Sequence, residues 1–117
     1  MGCRIMMKNE TQFPWFIVVP EVEEGVEDLH QLGPEKFSEV MEVVREVSLF
    51  VSAYFSPEKL NVACIGNAVR QMHIHVVARS PEDPAWPGVV WAHSEKSKFM
   101  NSAEKELVSA AREALSA

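Results

Sequence analysis

Short apolar runs separated by polar turns occupy both ends of the first eighty residues. Four segments share the length and the β-forming side chains of strands: residues 3–8, 15–19, 60–65 and 71–79. The second is a continuous apolar run ended by Pro20, which predicts a buried strand. A polar turn that starts at Asn9 separates it from the first, so these two strands can form a hairpin. Gly66-Asn67 predicts a tight turn between the last two.

The most regular pattern in the chain is helical and begins at Gly33-Pro34-Glu35, with proline at the first helical position and an acid in the first turn. Apolar side chains then recur three and four residues apart, at positions 37, 40, 41, 44, 47, 51, 54 and 55. Ser56-Pro57 ends this helix. A terminal helix is predicted from a capping-box-like start at Asn101-Ser-Ala-Glu104, with apolar positions 103, 107, 108, 111 and 115.

The connections between these elements complete an α+β pattern. Residues 21–28 are acidic and predict a solvated connection, whereas residues 80–88 hold three prolines and predict an ordered, irregular loop. Residues 89–91 are predicted as a short edge strand. We therefore expect a single domain over residues 1–117, with an antiparallel sheet of about five strands, one long helix packed on it and a C-terminal helix.

The formal net charge of −6 argues against a nucleic-acid binder, which needs a basic face. It leaves room for a small phosphorylated ligand, because one phosphate needs only a few local donors. The sequence predicts no membrane segment and no secretory signal. Cys3 and Cys64 lie far apart and form no C-x-x-C pair, as expected of buried or incidental thiols in a reducing compartment. The chain is therefore predicted to be cytoplasmic.

The segment Gln71-Met-His73-Ile-His75-Val-Val77 carries the candidate chemistry. Side chains alternate across a strand, so the polar residues share one face and the apolar residues between them share the core face. The face with two imidazoles is then exposed or lines a cleft. Cβ atoms two residues apart on a strand lie roughly 6.5–7 Å from each other, so a single phosphate or metal ion could contact both rings.

Four interpretations of this histidine pair remain open from the residues alone. The rings are polar side chains on a solvated sheet face, or two ligands of a metal site that needs a third residue from elsewhere. Alternatively, one imidazole is a nucleophile and the other a hydrogen-bond or proton donor. In the fourth interpretation, this face of the strand binds a nucleotide without catalysing a reaction.

The sequence around the pair resembles the histidine triad (HIT) family, whose members hydrolyse or transfer nucleotidyl groups. The resemblance rests on the stretch Asn61-Val-Ala-Cys-Ile-Gly66-Asn67-Ala-Val69-Arg-Gln71-Met-His73-Ile-His75. Trp15-Phe-Ile-Val-Val-Pro20 is similar to the family's strand ending in Ile-Pro or Cys-Pro, and the long helix lies where the family has one. The resemblance covers most of residues 3–79 and indicates a bacterial-type member with glutamine in place of the first triad histidine.

By this resemblance, His73 is the nucleophile that forms a nucleotidyl-histidine intermediate, and His75 lies near the phosphate oxygens. Neutral imidazole attacks and leaves well near pH 7, which makes such a two-step displacement sensible. Gln71, His75 and backbone donors would meet the charge on the phosphate oxygens. Asn67 and Asn61 match residues near the phosphate.

Three further residues complete the expected substrate contacts. Asn9 is similar to a family residue that binds ribose hydroxyls, with an ordinary turn residue as the alternative. Arg79 falls on the histidine face by alternation and is a candidate phosphate or leaving-group contact, with a surface ion pair as the alternative. Trp86 is expected to cover the site or a dimer partner, with a local packing anchor as the alternative.

The chain departs from the family pattern in ways that affect its chemistry. Gln71 can donate a hydrogen bond but cannot accept a proton as a base, and Trp15 stands where many members have another histidine. Glu21 and Glu23 follow Pro20, where a cation is usual. These departures predict reduced or redirected activity.

The resemblance implies hydrolysis or transfer at the α-phosphorus of a nucleoside phosphoramidate or a dinucleoside polyphosphate. It implies no required cofactor, with magnesium only as the companion of a polyphosphate, no protein metal site, and a homodimer that joins two sheets. Two rival functions remain: a nucleotide-binding regulatory module with little or no turnover, and a histidine-metal protein.

Overall fold

The computed structural model describes residues 2–93 and 101–115. Its elements in chain order are β1 (Cys3–Met7), β2 (Trp15–Pro20), α1 (Pro34–Phe55), β3 (Lys59–Cys64), β4 (Ile74–Arg79) and α2 (Asn101–Leu115). Short 3₁₀ turns cover Leu29–Gln31 and Val90–Ala92. No helix in the described part of the chain is long and apolar enough to cross a membrane.

The four strands form one antiparallel sheet in the order β1-β2-β4-β3. Residues Ile17 and His75 face each other across β2 and β4, and Asn61 faces Val77 across β3 and β4. The predicted hairpin of β1 and β2 is confirmed by their pairing, in which Arg4 lies opposite Val19. The α+β class of the fold is confirmed as well.

Helix α1 packs on one face of the sheet and supplies the largest share of the main core. Its buried side chains lie against Phe16 and Val18 of β2 and against Ile74 and Val76 of β4. The helix buries Val40, Val43, Val44, Val47, Phe50 and Val51. The stripe is thus rotated towards positions 43 and 50 compared with the prediction, which leaves Phe37, Met41 and Tyr54 exposed at its border.

The ends of α1 agree with the signals in the sequence. Gly33 is the N-cap and Pro34 the first helical residue, while the helix ends before Ser56, which adopts a left-handed conformation (φ 46°). Helix α2 buries Leu107 and Ala111 in the same core. The predicted capping box depends on the side chain of Asn101, which lies outside the described residues.

Two predicted strands differ from the structure. Strand β4 begins at Ile74 instead of residue 71, because neither β2 nor β3 pairs beyond Ile74 and the Gln71 carbonyl is bonded to a side chain. The predicted edge strand at residues 89–91 is wrong, since a 3₁₀ turn lies there. Val90 is fully buried against Trp15 and Val77, so it packs over a face of the sheet instead of extending its edge.

The second face of the sheet, opposite α1, is covered by other parts of the chain at one end and exposed at the other. At one end, which we call the covered end, Trp15 and Val77 lie beneath Phe13, Val90 and Trp91. At the other end, the open end, the side chains that follow from strand alternation line a cleft: Arg4, Met6, Ile17, Val19 and His73. The histidine pair lies at the border between these two ends.

Candidate active site

His73 lies immediately before β4, half-buried, with its ring held by the main chain. Its Nδ1 is 2.7 Å from the backbone oxygen of Gln71. A carbonyl oxygen only accepts hydrogen bonds, so the proton of the neutral ring is on Nδ1. The lone pair is consequently on Nε2, which is the arrangement a nucleophilic imidazole requires.

The cleft at the open end has a volume of about 400 Å³ and includes His73 in its wall. Cavities of this size take small-molecule ligands. Ile17 and Val19 supply apolar surface that a flat ring can lie against, and Arg4 supplies a cation at the same mouth as the Glu21 carboxylate. The cleft therefore combines apolar surface, one cation, one carboxylate and an imidazole with a free Nε2 lone pair.

His75 is buried, contrary to the expectation that both imidazoles would lie on an exposed or cleft-lining surface. The indole Nε1 of Trp15 donates a hydrogen bond of 2.9 Å to its Nδ1. The ring proton of neutral His75 is therefore on Nε2. The rings of Trp15 and Trp91 lie 5.7 and 5.3 Å from the His75 ring, and that of His73 lies 4.9 Å away, between centroids.

These surroundings keep His75 uncharged. Burial lowers its pKa from 6.5 to about 4, and the charges of His73 and Lys8 act in the same direction, while a hydrogen bond with the Ile65 backbone acts against them. Near pH 7 the ring is neutral, its Nδ1 accepts from Trp15 and its remaining N–H lies towards the Ile65 backbone, so it is not a cationic acid. The two histidines are thus adjacent but chemically different.

Gln71 lies at the cleft wall with an exposed side chain. Its backbone oxygen orients His73, a function that depends on the main chain and not on the amide group. The side chain therefore remains available to a ligand in the cleft, as a hydrogen-bond donor or acceptor.

Arg79 has a different environment from the substrate contact or surface ion pair expected from the sequence. It is buried, and its guanidinium donates two hydrogen bonds, of 2.8 and 3.1 Å, to the Asp83 carboxylate. It also donates to Asn61 Oδ1 and to the Gly88 carbonyl, at 2.7 Å each. Arg79 and Asn61 therefore anchor the loop of residues 80–88 to the sheet, outside the cleft that His73 lines.

Trp86 belongs to this anchored loop, with its ring 5.8 Å from the Arg79 guanidinium. This is the local packing that the sequence left as an alternative to a cover over the site. Asn67 and Asn9 are exposed and lie outside the residues that line the cleft. Their ligand contacts stay predictions.

Sequence reasoning missed Asp83 as the partner of Arg79. Burial acts to raise the pKa of Asp83, but hydrogen bonds from Arg79, Ser80 and Ala85 outweigh it and hold the pKa below 3.8. The available signal was the aspartate four residues after the arginine in a proline-rich turn, where an Asx-type turn is common. Arg4 was missed as well, although alternation along β1 places it on the histidine face.

In the described residues, no group of three or more His, Cys, Asp or Glu side chains is arranged to hold a metal ion. Cys3 and Cys64 are both free and half-buried, and burial raises the pKa of each thiol.

The model of the HIT domain matches residues 2–82 of the chain. This match includes all four strands, helix α1 and both residues of the histidine pair. No curated protein matches the sequence.

Several solved structures are similar to the chain over nearly its whole length. A histidine triad protein from Sinorhizobium meliloti is 28% identical, with a TM-score of 0.90 over 97% of this chain and 84% of that chain. One from Marinobacter aquaeolei is 29% identical, with a TM-score of 0.90 over 97% and 82%. A third, from Bradyrhizobium japonicum, is 26% identical, with a TM-score of 0.91 over 97% and 84%.

Proposed function

Because the chain belongs to the HIT domain family, we propose that it is a nucleotide hydrolase or transferase that acts through His73. Its substrate would be a nucleoside phosphoramidate or a dinucleoside polyphosphate, attacked at the α-phosphorus. The observation that supports this most directly is the hydrogen bond from His73 Nδ1 to the Gln71 carbonyl, which leaves Nε2 unprotonated beside a nucleotide-sized cleft.

The reaction would take place in two balanced steps. The Nε2 lone pair forms a bond to phosphorus while the bond to the leaving group breaks with its electron pair; a phosphate departs as the anion, whereas an amine takes up a proton from solvent as it departs. Water then attacks the phosphorus, the P–N bond breaks with its electron pair returning to Nε2, and a proton from the water is released to solvent. Together, the two steps replace one difficult displacement at phosphorus by two easier ones.

The substrate would lie along the open end. The nucleoside would rest on Ile17 and Val19, with its phosphate directed towards His73 and the side chain of Gln71. Arg4 would compensate part of the phosphate charge from across the cleft. Magnesium would enter only with a polyphosphate substrate, as its counterion.

A trapping experiment tests the nucleophile. The purified chain is incubated with an adenosine phosphoramidate and with diadenosine tetraphosphate, and intact-protein mass spectrometry is used to detect a covalent adenylyl adduct. We expect His73→Ala to abolish the adduct and to lower kcat by at least about 10³-fold, the usual effect of removing a nucleophile. His30→Ala, at an exposed histidine on a separate 3₁₀ turn, is the matched control and should change neither.

A second candidate function is nucleotide binding with little or no turnover, as in a regulatory module. It is favoured by Gln71, which replaces a residue able to exchange protons with one that only forms hydrogen bonds. Calorimetry with AMP separates the two functions: micromolar binding with no product and no adduct would support the module. Turnover that persists in His73→Ala would contradict the proposed mechanism.

We also propose that the chain is a homodimer in which two sheets associate. Both outer strands expose apolar side chains, Met6 on β1 (48%) and Val62 on β3 (47%), so pairing at one edge would cover apolar surface as well as unpaired backbone groups. Sedimentation equilibrium should then give twice the chain mass of 13.2 kDa. Conversion to a monomer by Val62→Lys or by Met6→Lys would identify the edge, and a monomeric unchanged chain would contradict the proposal.

A further inference from the structure

Two indole rings pack against His75, but only one of them is bonded to it. Trp15 Nε1 donates to His75 Nδ1 at 2.9 Å. The Trp91 ring packs at a similar distance from the imidazole, yet its Nε1 is buried and has no hydrogen-bond partner among the described residues. The His75 ring is thus in contact with one tryptophan that is hydrogen-bonded to it and one that is not. Comparison of the two tryptophans separates the effect of the hydrogen bond from the effect of packing.

The bond from Trp15 is compatible only with neutral His75. An indole nitrogen always donates, and a cationic imidazole carries a proton on both nitrogens. Protonation of His75 would therefore place two N–H groups against each other at the distance of a hydrogen bond. The indole disfavours the cation independently of burial.

The other groups around His75 come from three elements. His73 precedes β4, and Lys8 follows β1, with its Nζ 3.8 Å from the centre of the Trp15 ring; both disfavour a further positive charge. The backbone of Ile65, after β3, is hydrogen-bonded to the ring and acts in the opposite direction, favouring the protonated form. Because Trp15 occupies Nδ1, the ring proton that remains is on Nε2.

We propose that Trp15 is a positioning residue that holds His75 in its neutral state, so that the site has no cationic acid beside the His73 ring and prefers phosphoric anhydrides to phosphoramidates. The substrate preference rests on the proposed function, whereas the state of His75 does not. This assignment gives Trp15 a role in selecting the leaving group, although Trp15 and His75 both lie outside the residues that line the cleft and His75 adjoins it only through the His73 ring.

The preference follows from where the proton must go. When His73 displaces an anhydride, the P–O bond breaks and the leaving oxygen departs as a stable phosphate anion that needs no proton. When it displaces an amine, the P–N bond breaks only if the nitrogen gains a proton, because an amide anion is a very poor leaving group. Neither neutral His75, which packs against the His73 ring, nor the Gln71 amide can give up a proton near pH 7.

The hydrogen bond is testable in the unchanged protein by NMR. A ¹⁵N–¹⁵N coupling across Trp15 Nε1–H···Nδ1 of His75 should be observable, and a ¹⁵N titration should show neutral His75 down to about pH 4. In Trp15→Phe we expect the pKa of His75 to rise by about one unit or more. In Trp91→Phe, which also removes an indole from this ring, we expect less than half of that rise. Absence of the coupling, or equal shifts in the two variants, would overturn the role of Trp15.

Turnover tests the substrate preference separately. We expect kcat/KM at pH 7 to be at least about tenfold higher for diadenosine tetraphosphate than for an adenosine phosphoramidate. The ratio should fall about threefold at pH 6 in Trp15→Phe, in which part of His75 becomes a cationic acid, and should stay unchanged in Trp91→Phe. A phosphoramidate that is processed faster by the unchanged protein would overturn the preference. Turnover of neither substrate would overturn the proposed function, while the NMR result would still decide the role of Trp15.

Discussion

The covered and the open end of the sheet's second face are built from the same strands, β2 and β4 with their neighbours. At the covered end, Trp15 and Val77 are almost fully buried, because the chain after β4 folds back over them with Val90. At the open end, Ile17 and Val19 are only half-buried and line a cleft. His75 belongs to the first environment and His73 to the second, although one residue separates them.

This difference shows that strand alternation assigns a side chain to a face but not to an environment. The environment depends on which part of that face the returning loop covers. Under the loop, the imidazole of His75 is buried, accepts a hydrogen bond from an indole and is neutral. Beyond the loop, the imidazole of His73 lies in the wall of a cleft. Two identical side chains, one just before β4 and one within it, thereby acquire different chemical environments.

The largest expected effect comes from releasing the loop that covers His75. Replacement of Asp83 by alanine leaves the Arg79 guanidinium buried without its carboxylate, both side chains being at most 5% exposed in the ion pair. Removal of one partner of a buried pair costs about 3–5 kcal/mol. We expect a loss of this size in the free energy of unfolding, measured by urea denaturation at pH 7.

An exposed ion pair near the open end provides the control. Glu27 accepts a hydrogen bond of 2.9 Å from Arg70, whose side chain is 69% exposed. Because solvent screens such a pair, Glu27→Gln should cost no more than about 0.5 kcal/mol. Equal losses in the two variants would show that the covered end is not held by its buried ion pair.

A somewhat smaller effect is expected from pH, through His75. Its pKa is about 4 in the folded chain and 6.5 ordinarily, so below pH 6.5 the unfolded chain binds a proton that the folded chain does not. The contribution of neutral His75 to the free energy of unfolding is therefore fully present above about pH 6.5. It decreases as the pH falls towards about 4, and no further loss from this residue occurs below that pH. The gap of about 2.5 between the pKa values, at about 1.4 kcal/mol per unit, corresponds to a loss of about 3 kcal/mol at most.

Urea denaturation between pH 4 and 7 measures this loss, with His75→Gln as the reference that cannot titrate. The difference between the two curves isolates His75. Asp83 acts in a separate range, because its lowered pKa makes its contribution disappear only as the pH falls through and below 3.8. Parallel curves for the two proteins over pH 4–7 would contradict the assignment of His75 as a neutral, buried ring.

The sequence was sufficient to predict the elements whose limits depend on local chemistry. Helix α1 begins at Pro34 and ends before Ser56 because these residues act on their own backbone. The four strands were likewise predicted from local sequence, because each contains a short run of apolar, β-forming residues. The start of β4 and the turn at Val90 were predicted wrongly because each depends on a partner that the local pattern does not specify: a carbonyl bonded to His73, and a core formed with Phe13 and Trp15.

The candidate site divides in the same way. The motif predicted His73 and Gln71, and both line the cleft. The burial of His75 and the internal bonds of Arg79 depend on residues 80–93, whose course no periodicity describes. Arg79 is an example. Strand alternation predicts the face of the sheet on which it lies, but its contact with Asp83 depends on how the loop folds. Burial of charge is a tertiary property.

The bond that aims His73 ends on a main-chain oxygen, and this has a consequence for how the site tolerates sequence change. Every residue type carries the same carbonyl, so an exchange of side chain at position 71 leaves the acceptor in place. The orientation of the His73 ring is therefore independent of the side chain at position 71. Substitution there would leave the ring proton on Nδ1 and the lone pair on Nε2.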